Sequence, residues 1–396
     1  MRQLRPGRGC WYFRSVVVPL EERTTRSAAG RQACGGWQNE WVKRMDDRNK
    51  AEPGTGDTGR RKNEHIEISL HEDVNSRLES GGFDRYRFRH QALPEVSFER
   101  IDTSASFLGR RLAFPLLISS MTGGTEEAAR INRHLAEVAE KRGWALALGS
   151  GRAALEKEEA IPSFQMRRLA PSVPILANLG AVQLSLGYDA DDCRRLVELT
   201  GADGLVLHLN GLQEIFQPEG DTDFSGLLRR IEKVCRESEF PVGVKEVGWG
   251  IDGGNARRLL EAGVRFIDVA GAGGTSWSQV EKMRLRDEVR RLAADSFADW
   301  GIPTAECIVE ARRAAPSSFL IGSGGVKSGI DAAKALALGA DLAGFGRSLL
   351  AHAVDSADSL DLRLSVIEFE LRAAMFGIGA SNLSALRTTD RLTAIG

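Results

Sequence analysis

The chain of 396 residues has only five cysteines, Cys10, Cys34, Cys193, Cys235 and Cys307, and no pair stands at a zinc-type spacing. An odd, scattered set is a poor disulfide framework, so a reducing cytoplasm is the expected location. Long apolar runs are missing as well. Nothing approaches the ~20 residues that a membrane span needs. Ser15-Val16-Val17-Val18-Pro19-Leu20 is too short for a signal-peptide core, and no clean small-residue cleavage site follows it. Charge imbalance is the third absence. A formal net charge of -1 removes any global electrostatic case for nucleic acid or an anionic membrane surface. What remains, 42% hydrophobic and 27% charged residues, is the composition of a soluble globular protein. The length suits one large domain with extensions, or two domains.

The N-terminal region reads differently from the rest. Residues 1–60 carry twelve Lys/Arg against seven Asp/Glu, with neither helical nor strand periodicity. Trp11, Trp37 and Trp41 sit there without a surrounding apolar pattern. Ala51 to Gly59 has the composition of a flexible linker. Residues 1–59 are therefore expected to be a disordered extension. An Arg-rich targeting arm is one reading of it. Translation starting at Met45, with residues 1–44 absent from the cell, is another.

From Ala113 onward a rhythm sets in. Eight short apolar runs alternate with segments of helical character. The runs are centred on Leu117, Leu146, Ile175, Val206, Val242, Ile267, Leu320 and Leu342. The intervening segments include 126–142, 189–201, 224–238, 254–262, 304–315 and 328–339, several ending in a glycine suited to a left-handed stop. Nearly all-apolar strands, each followed by a helix, predict a parallel sheet covered by helices. Eight such units predict a closed (β/α)8 TIM barrel over 113–396. An open doubly wound sheet usually has fewer strands and a glycine-rich turn after the first.

In such a barrel the chemistry lies at the C-terminal ends of the strands. Here every apolar run ends in small or polar residues: Ser119 to Gly124, Gly149 to Arg152, Asn178 to Gly180, His208 to Asn210, Lys245 to Gly248, Ala270 to Thr275, Gly322 to Gly325, and Gly344 to Arg347. Glycine-rich ends of the seventh and eighth strands, each leading into a helix, predict a phosphate site at Gly324, Gly325, Gly346 and Arg347. Lys245 closes an apolar strand, which is costly unless it meets an anion or a polarisable ring. Schiff-base formation, a phosphate contact, pairing with an electron-rich heterocycle, and snorkelling to the mouth are its open roles. Alternation on the fourth strand turns His208 and Asn210 into the mouth and Leu205, Leu207 and Leu209 toward the helices. Gln213 and Glu214 follow on the loop. One carboxylate beside amides makes a poor all-protein metal cage, but suits a Mg²⁺ that keeps waters and shares phosphate oxygens.

From Arg61 to the C-terminus the chain resembles the type 2, flavin-dependent isopentenyl-diphosphate isomerases. The resemblance is carried by Arg61-Lys62-Asn63-Glu64-His65-Ile66, Met121-Thr122-Gly123-Gly124, Ala177-Asn178-Leu179-Gly180, His208-Leu209-Asn210 with Gln213-Glu214, and Pro218-Glu219-Gly220-Asp221. Lys245-Glu246-Val247-Gly248, Gly273-Gly274-Thr275 and Ser323-Gly324-Gly325 add to it. The Gly-Gly pieces are shared with other FMN barrels. The Arg-Lys start, together with the His-Leu-Asn and Pro-Glu-Gly-Asp runs, is specific. The resemblance implies interconversion of isopentenyl and dimethylallyl diphosphate with reduced FMN, Mg²⁺ and NADPH as reductant. It implies FMN contacts from Ser120, Met121, Thr122, Ser150, Asn178, Lys245 and Thr275, with the FMN phosphate on Gly324, Gly325, Gly346 and Arg347. Substrate diphosphate would meet Arg61, Lys62, Ser150 and Arg152, Glu214 would hold Mg²⁺, and Gln213 would lie by the reacting carbons. Residues 60–112 would then form a lid, and the protein a homo-oligomer, a tetramer or larger. His208 is expected as pocket lining. One departure stands out: Gly151 occupies a position where relatives usually carry Gln.

Two rivals share the architecture. A 2-hydroxy-acid oxidase would need a His-Gly-Gly-Arg stretch, and Gly271-Ala272-Gly273-Gly274-Thr275 has neither the His nor the Arg. A non-catalytic barrel that binds a phosphorylated ligand has no need to retain Lys245, Gln213 and Glu214.

Overall fold

The computed structural model describes residues 57–395. The expectations for residues 1–56, including the disordered extension and the alternative start, lie outside the described residues. A helix already begins at Asp57, so the last three residues of the expected extension are helical.

Eight parallel strands close into a barrel. They are β1 (Leu116–Ile118), β2 (Ala145–Ala147), β3 (Ile175–Gly180), β4 (Gly204–His208), β5 (Val242–Lys245), β6 (Phe266–Asp268), β7 (Phe319–Ser323) and β8 (Leu342–Phe345). Side-chain alternation sorts each strand into two faces. Leu117, Leu176, Val206, Phe266, Ile321 and Leu342 point inward and form one apolar cluster. Ile118, Leu179, Leu207, Val244 and Ala343 face the helices in a second, larger one. Gly243 lacks a side chain because a Cβ there would stand 2.0 Å from the Phe266 ring, which fills the interior.

The N-terminal end of the barrel is plugged by a hairpin, Ala105–Phe107 with Arg110–Leu112. Phe107 stacks on Phe319 at 4.7 Å and meets Phe266 edge-on at 5.2 Å. With one end closed by apolar side chains, only the other end can hold a ligand.

The helices follow the sequence signals closely. Thr125 caps the helix Glu126–Arg142, and Gly143 ends it in a left-handed conformation (φ 68°). Several elements go beyond the sequence reading, two of them in the C-terminal part. One is the 21-residue helix Ala357–Gly377. The other is the C-terminal strand Leu392–Ala394, which pairs antiparallel with Tyr86–Phe88 and ties the chain end to the segment before the barrel.

The same clamp occurs twice at the closed end. Arg167 donates to the carbonyls of Gly201, Ala170 and Val173 and to Asp203, whose carboxylate also accepts from the Ile175 amide at the start of β3. Arg312 does the same with Gly339, Pro316, Ser318 and Asp341, and Asp341 accepts from the Leu320 amide on β7. Each clamp ties the C-terminal end of a helix back to the start of the strand that precedes it. Truncation of Arg312 strands several half-buried carbonyls and a carboxylate. Arg312→Ala should lower the unfolding free energy by about 2 kcal/mol in urea titration.

Candidate active site

Above the apolar plug the inward positions turn polar. Leu176 gives way to Asn178 on β3, Val206 to His208 on β4, Gly243 to Lys245 on β5, Phe266 to Asp268 on β6, and Ile321 to Ser323 on β7. These residues line or underlie a cavity of about 840 Å³ at the C-terminal mouth, a size suited to a cofactor plus a small substrate. All of the sequence-assigned residues line this one cavity: Arg61, Lys62, Ser120, Met121, Thr122, Ser150, Arg152, Asn178, Gln213, Glu214, Lys245, Thr275, Gly324, Gly325, Gly346 and Arg347. His208 lines it too.

Helix α1 (Asp57–His71) lies across the mouth and brings Arg61, Lys62 and His65 to it. Lys62 Nζ donates to the Ser150 carbonyl at 2.9 Å and sits 5.2 Å from the centre of the Phe164 ring. Burial, reinforced by neighbouring Arg61, pushes the Lys62 ammonium down to about 7.

On the inner wall, Asn178 Nδ2 donates to Ser120 Oγ at 2.7 Å, so Asn178 Oδ1 is left to accept from His208 Nδ1 at 2.7 Å. Burial, with Lys245, Lys62 and Arg61 in the same field, pushes the His208 imidazole down to about 3. A neutral ring with Nδ1–H engaged presents Nε2 as an acceptor. Lys245 is 8% exposed and its ammonium donates to the Glu246 carbonyl. The Glu246 carboxylate accepts from the amides of Val247, Gly248, Trp249 and Gly250, fixing the loop after β5.

Gln213 and Glu214 are not on a loop. They lie on a short helix, α2 (Gly211–Phe216), which begins directly after β4 and buries both side chains. The glycine at 211 and the absence of any apolar repeat conceal so short a helix from sequence reading. The Glu214 carboxylate accepts from Asn210 Nδ2 at 2.6 Å, the Asp221 amide at 2.9 Å and Gln217 Nε2 at 3.3 Å. Burial raises its pKa despite these donors. Asn210 Oδ1 beside it is buried with no partner. Among the described residues no cluster of three or more His, Cys, Asp or Glu is arranged to hold a metal. One underneutralised carboxylate beside an orphaned amide oxygen fits a Mg²⁺ that retains most of its waters.

The residues also fit a flavin mononucleotide. Ser119 Oγ and Thr122 Oγ1 are buried without partners, as polar groups awaiting a ligand would be. Gly324 (φ 100°) and Gly325 (φ 70°) follow β7 in conformations that only glycine adopts readily. Gly346 precedes the helix Arg347–Asp355, so that helix's first amides face the cavity. Arg347 donates to Asn75 Oδ1, anchoring the cradle to the N-terminal segment.

Two buried acidic residues at the site escape the sequence reading. Glu281, on helix α3 (Trp277–Lys282), is fully buried and joins three elements. Gln213 Nε2 donates to its Oε1 at 2.8 Å, His65 Nε2 stands 3.0 Å from the same atom, and Arg284 Nη1 donates to its Oε2 at 2.7 Å. Arg284 also donates to Glu64 of α1 at 2.9 Å. Burial alone would raise the Glu281 carboxyl, but His65, Arg284 and the Gln213 amide outweigh it and hold it at about 2. No spacing links Gln213 to Glu281, so only the fold reveals the pair. Asp268 is the second. A charged residue ending the run Phe266-Ile267-Asp268-Val269 was its available signal.

Gly151, the departure from the usual Gln, packs beneath the helix Ala190–Thr200. A Cβ there would lie 2.5 Å from Leu196 Cδ1. Any side chain at 151 requires the leucine to move.

Comparison with known proteins bears on the family and the fold. A family model described as FMN-dependent dehydrogenase matches residues 59–173 and 210–393. The isopentenyl-diphosphate delta-isomerase of Oceanobacillus iheyensis is 50% identical over 336 residues, 85% of this chain and 96% of that protein. That of a Nostoc species is 48% identical, over 86% and 98%. Among solved structures, a mandelate oxidase covers 84% of this chain and 95% of its own at a TM-score of 0.58 and 21% identity. An (S)-mandelate dehydrogenase chimera covers 85% and 98% at 0.61 and 16%. These neighbours share the fold.

Proposed function

The chain belongs to the isopentenyl-diphosphate delta-isomerases of the FMN-dependent dehydrogenase family, and we propose that it shifts the double bond of isopentenyl diphosphate with reduced FMN and Mg²⁺. The observation that carries this reading is the convergence of the basic pair on α1, the Gln213–Glu214 pair on α2 and the glycine cradle of β7 and β8 on one cavity.

FMN would be held by Ser120, Met121, Thr122, Ser150, Asn178, Lys245 and Thr275, with its phosphate on Gly324, Gly325, Gly346 and Arg347. In its reduced form, supplied by NADPH, it brings an electron-rich ring able to exchange a proton and to stabilise positive charge in the substrate. Arg61, Lys62, Ser150 and Arg152 would bind the diphosphate, and Glu214 would share a Mg²⁺ with it. Arg152 is already oriented by Glu156 at 2.6 Å. Gln213 would lie at the allylic carbons, held by Glu281. Protonating an unactivated alkene creates tertiary-carbocation character that water would trap, so α1, pinned over the mouth by Lys62 and Glu64, would serve to exclude water.

A redox enzyme of the 2-hydroxy-acid type is disfavoured by sequence: the loop after β6 has Ala272 and Thr275 where that type would carry His and Arg. The test is anaerobic. Purified protein should be yellow with a flavin spectrum. After reduction it should convert isopentenyl diphosphate through many turnovers. Flavin oxidation in step with substrate consumed would overturn the reading.

The Lys62 environment gives a pH signature. Below about 7 the free protein carries the ammonium, and above it the neutral amine. A bound diphosphate would restore the charge, so binding above pH 7 should take up a proton and weaken as pH rises. Calorimetry in two buffers of different ionisation enthalpy measures this directly, and Lys62→Met should abolish the uptake.

The protein would work as a homo-oligomer, a tetramer or larger. Leu362, Val366 and Phe369, exposed at helical spacing on Ala357–Gly377, support this. No helix among the described residues is long and apolar enough to cross a membrane.

A further inference from the structure

Beneath the cavity, behind its lining residues Lys245 and Ser323, lies a buried acidic side chain, Asp268, that the chemistry above does not use. It is 3% exposed. Strand register pairs Lys245 with His208 on one side and with Asp268 on the other, so the three stand side by side on the inner wall. Asp268 Oδ1 accepts from Ser323 Oγ at 2.6 Å and from the Ala270 amide at 3.3 Å. Both donors are neutral. The Lys245 ammonium donates to the Glu246 carbonyl and not to this carboxylate.

For a core this is an expensive arrangement. A buried carboxylate held by neutral donors, beside an ammonium that it does not directly bond, stabilises a fold less than an apolar pair of the same volume. Burial indeed pushes the Asp268 carboxyl up, with Lys245, Ser323 and the Ala270 amide opposing. The groups facing it are Lys245 from β5, Ser323 from β7 and the Phe266 ring below. His208, beyond Lys245, is neutral. Among the described residues Lys245 is thus the charged group beside Asp268 on the inner wall, and it lines the cavity where a flavin ring would rest.

We propose that Asp268 is a positioning residue for the flavin: its carboxylate offsets the Lys245 ammonium, so that the cavity floor presents a nearly neutral surface to the bound cofactor. This deepens the FMN reading and rests on it. Reduced FMN holds more negative charge than oxidised FMN, so a floor with Lys245 alone would favour the reduced form and lower its affinity for a proton. Asp268 moderates both effects through Coulomb interaction across a buried, weakly screened distance. A cofactor that must take and return a proton benefits from that restraint.

The test uses the full chain with Asp268→Asn and Asp268→Ser. Asparagine keeps an acceptor for Ser323 and Ala270 and removes only the charge. Serine removes the charge with little volume. Binding of oxidised and of dithionite-reduced FMN is measured for each by fluorescence, and the reduced spectrum is titrated with pH. Relative to the parent, the preference for reduced over oxidised FMN should rise about tenfold in both variants, and the reduced flavin should lose its proton about one pH unit lower. A preference within twofold of the parent's in a variant that holds FMN would overturn the proposal. Loss of FMN from both variants would overturn it too, since Asp268 would then serve the fold. Failure of the parent itself to bind FMN would instead overturn the cofactor reading.

Discussion

Glu281→Gln should cut turnover about a hundredfold while the protein still binds its full complement of FMN. The substitution is nearly isosteric, and its effect follows from what the carboxylate holds. Glu281 Oε1 accepts from Gln213 and lies against His65, and Oε2 accepts from Arg284. An amide has one acceptor oxygen and presents its NH₂ to the other set of donors. Either Gln213 turns away or Arg284 loses a partner. A reacting group misplaced by about 1 Å costs on the order of a hundredfold. None of the proposed FMN contacts passes through Glu281, so flavin content should hold. The fold should weaken as well, by about 3 kcal/mol, because Arg284 is only 5% exposed and keeps Glu64 and a distant Glu219 as partners. The sign with pH is fixed. The folded-state pKa of Glu281 is depressed from 4.5 to about 2, so its contribution is complete above about pH 4.5 and is lost as pH falls toward 2. Thermal melts across that window should show the parent losing stability more steeply than the variant. Activity assayed well below the melting transition separates the two effects, and unchanged turnover there would show that Gln213 needs no support from Glu281.

The eight strands were legible in the sequence because a parallel barrel buries both faces of every strand, so each reads as a short apolar run closed by small or polar residues. Gly143 and Gly201 marked helix ends by local capping chemistry, which acts within a few residues and therefore survives in sequence. The helix Ala357–Gly377 was less legible. It buries Leu360, Leu364, Ile367, Leu371 and Met375 on one face but also exposes Leu362, Val366 and Phe369 on another, which blurs the apolar stripe. At the site, residues on strand ends could be read from alternation, as His208 and Asn210 were, or from a charge closing an apolar run, as Lys245 was. Placing Arg61 and Lys62 at the same mouth took the resemblance, because α1 is held by contacts such as Glu64–Arg284 and Lys62–Ser150 that span much of the chain. Glu281 stayed hidden for the same reason. Arg284 stands three residues along the chain, but the other partners, Gln213 and His65, lie on two distant helices, at no readable spacing from Glu281.

Glu214→Gln should be the most damaging single change, with kcat/KM falling about a thousandfold, some 4 kcal/mol of transition-state stabilisation. The site is built for a charge. Burial raises the Glu214 pKa even though Asn210, Gln217 and the Asp221 amide donate to it, which means these donors alone do not repay its desolvation. A divalent cation would, and the orphaned Asn210 Oδ1 offers a second oxygen toward the same space. The glutamine variant keeps the volume but lacks the charge, and its NH₂ opposes either Asn210 Nδ2 or the Asp221 amide. Loop 217–221 could therefore loosen in the variant, and with it Asp221, which stands 3.8 Å from Arg152. Metal titration distinguishes the two causes. If Glu214 holds Mg²⁺, the parent should lose turnover in EDTA and regain it with Mg²⁺, while the variant should respond weakly even to excess metal. If the glutamate only ties down the loop, chelation should leave the parent unaffected and the variant should fail through a raised KM alone. Equal turnover of parent and variant at saturating Mg²⁺ would remove Glu214 from the metal site altogether and leave its buried charge as a purely structural expense, which its raised pKa argues against.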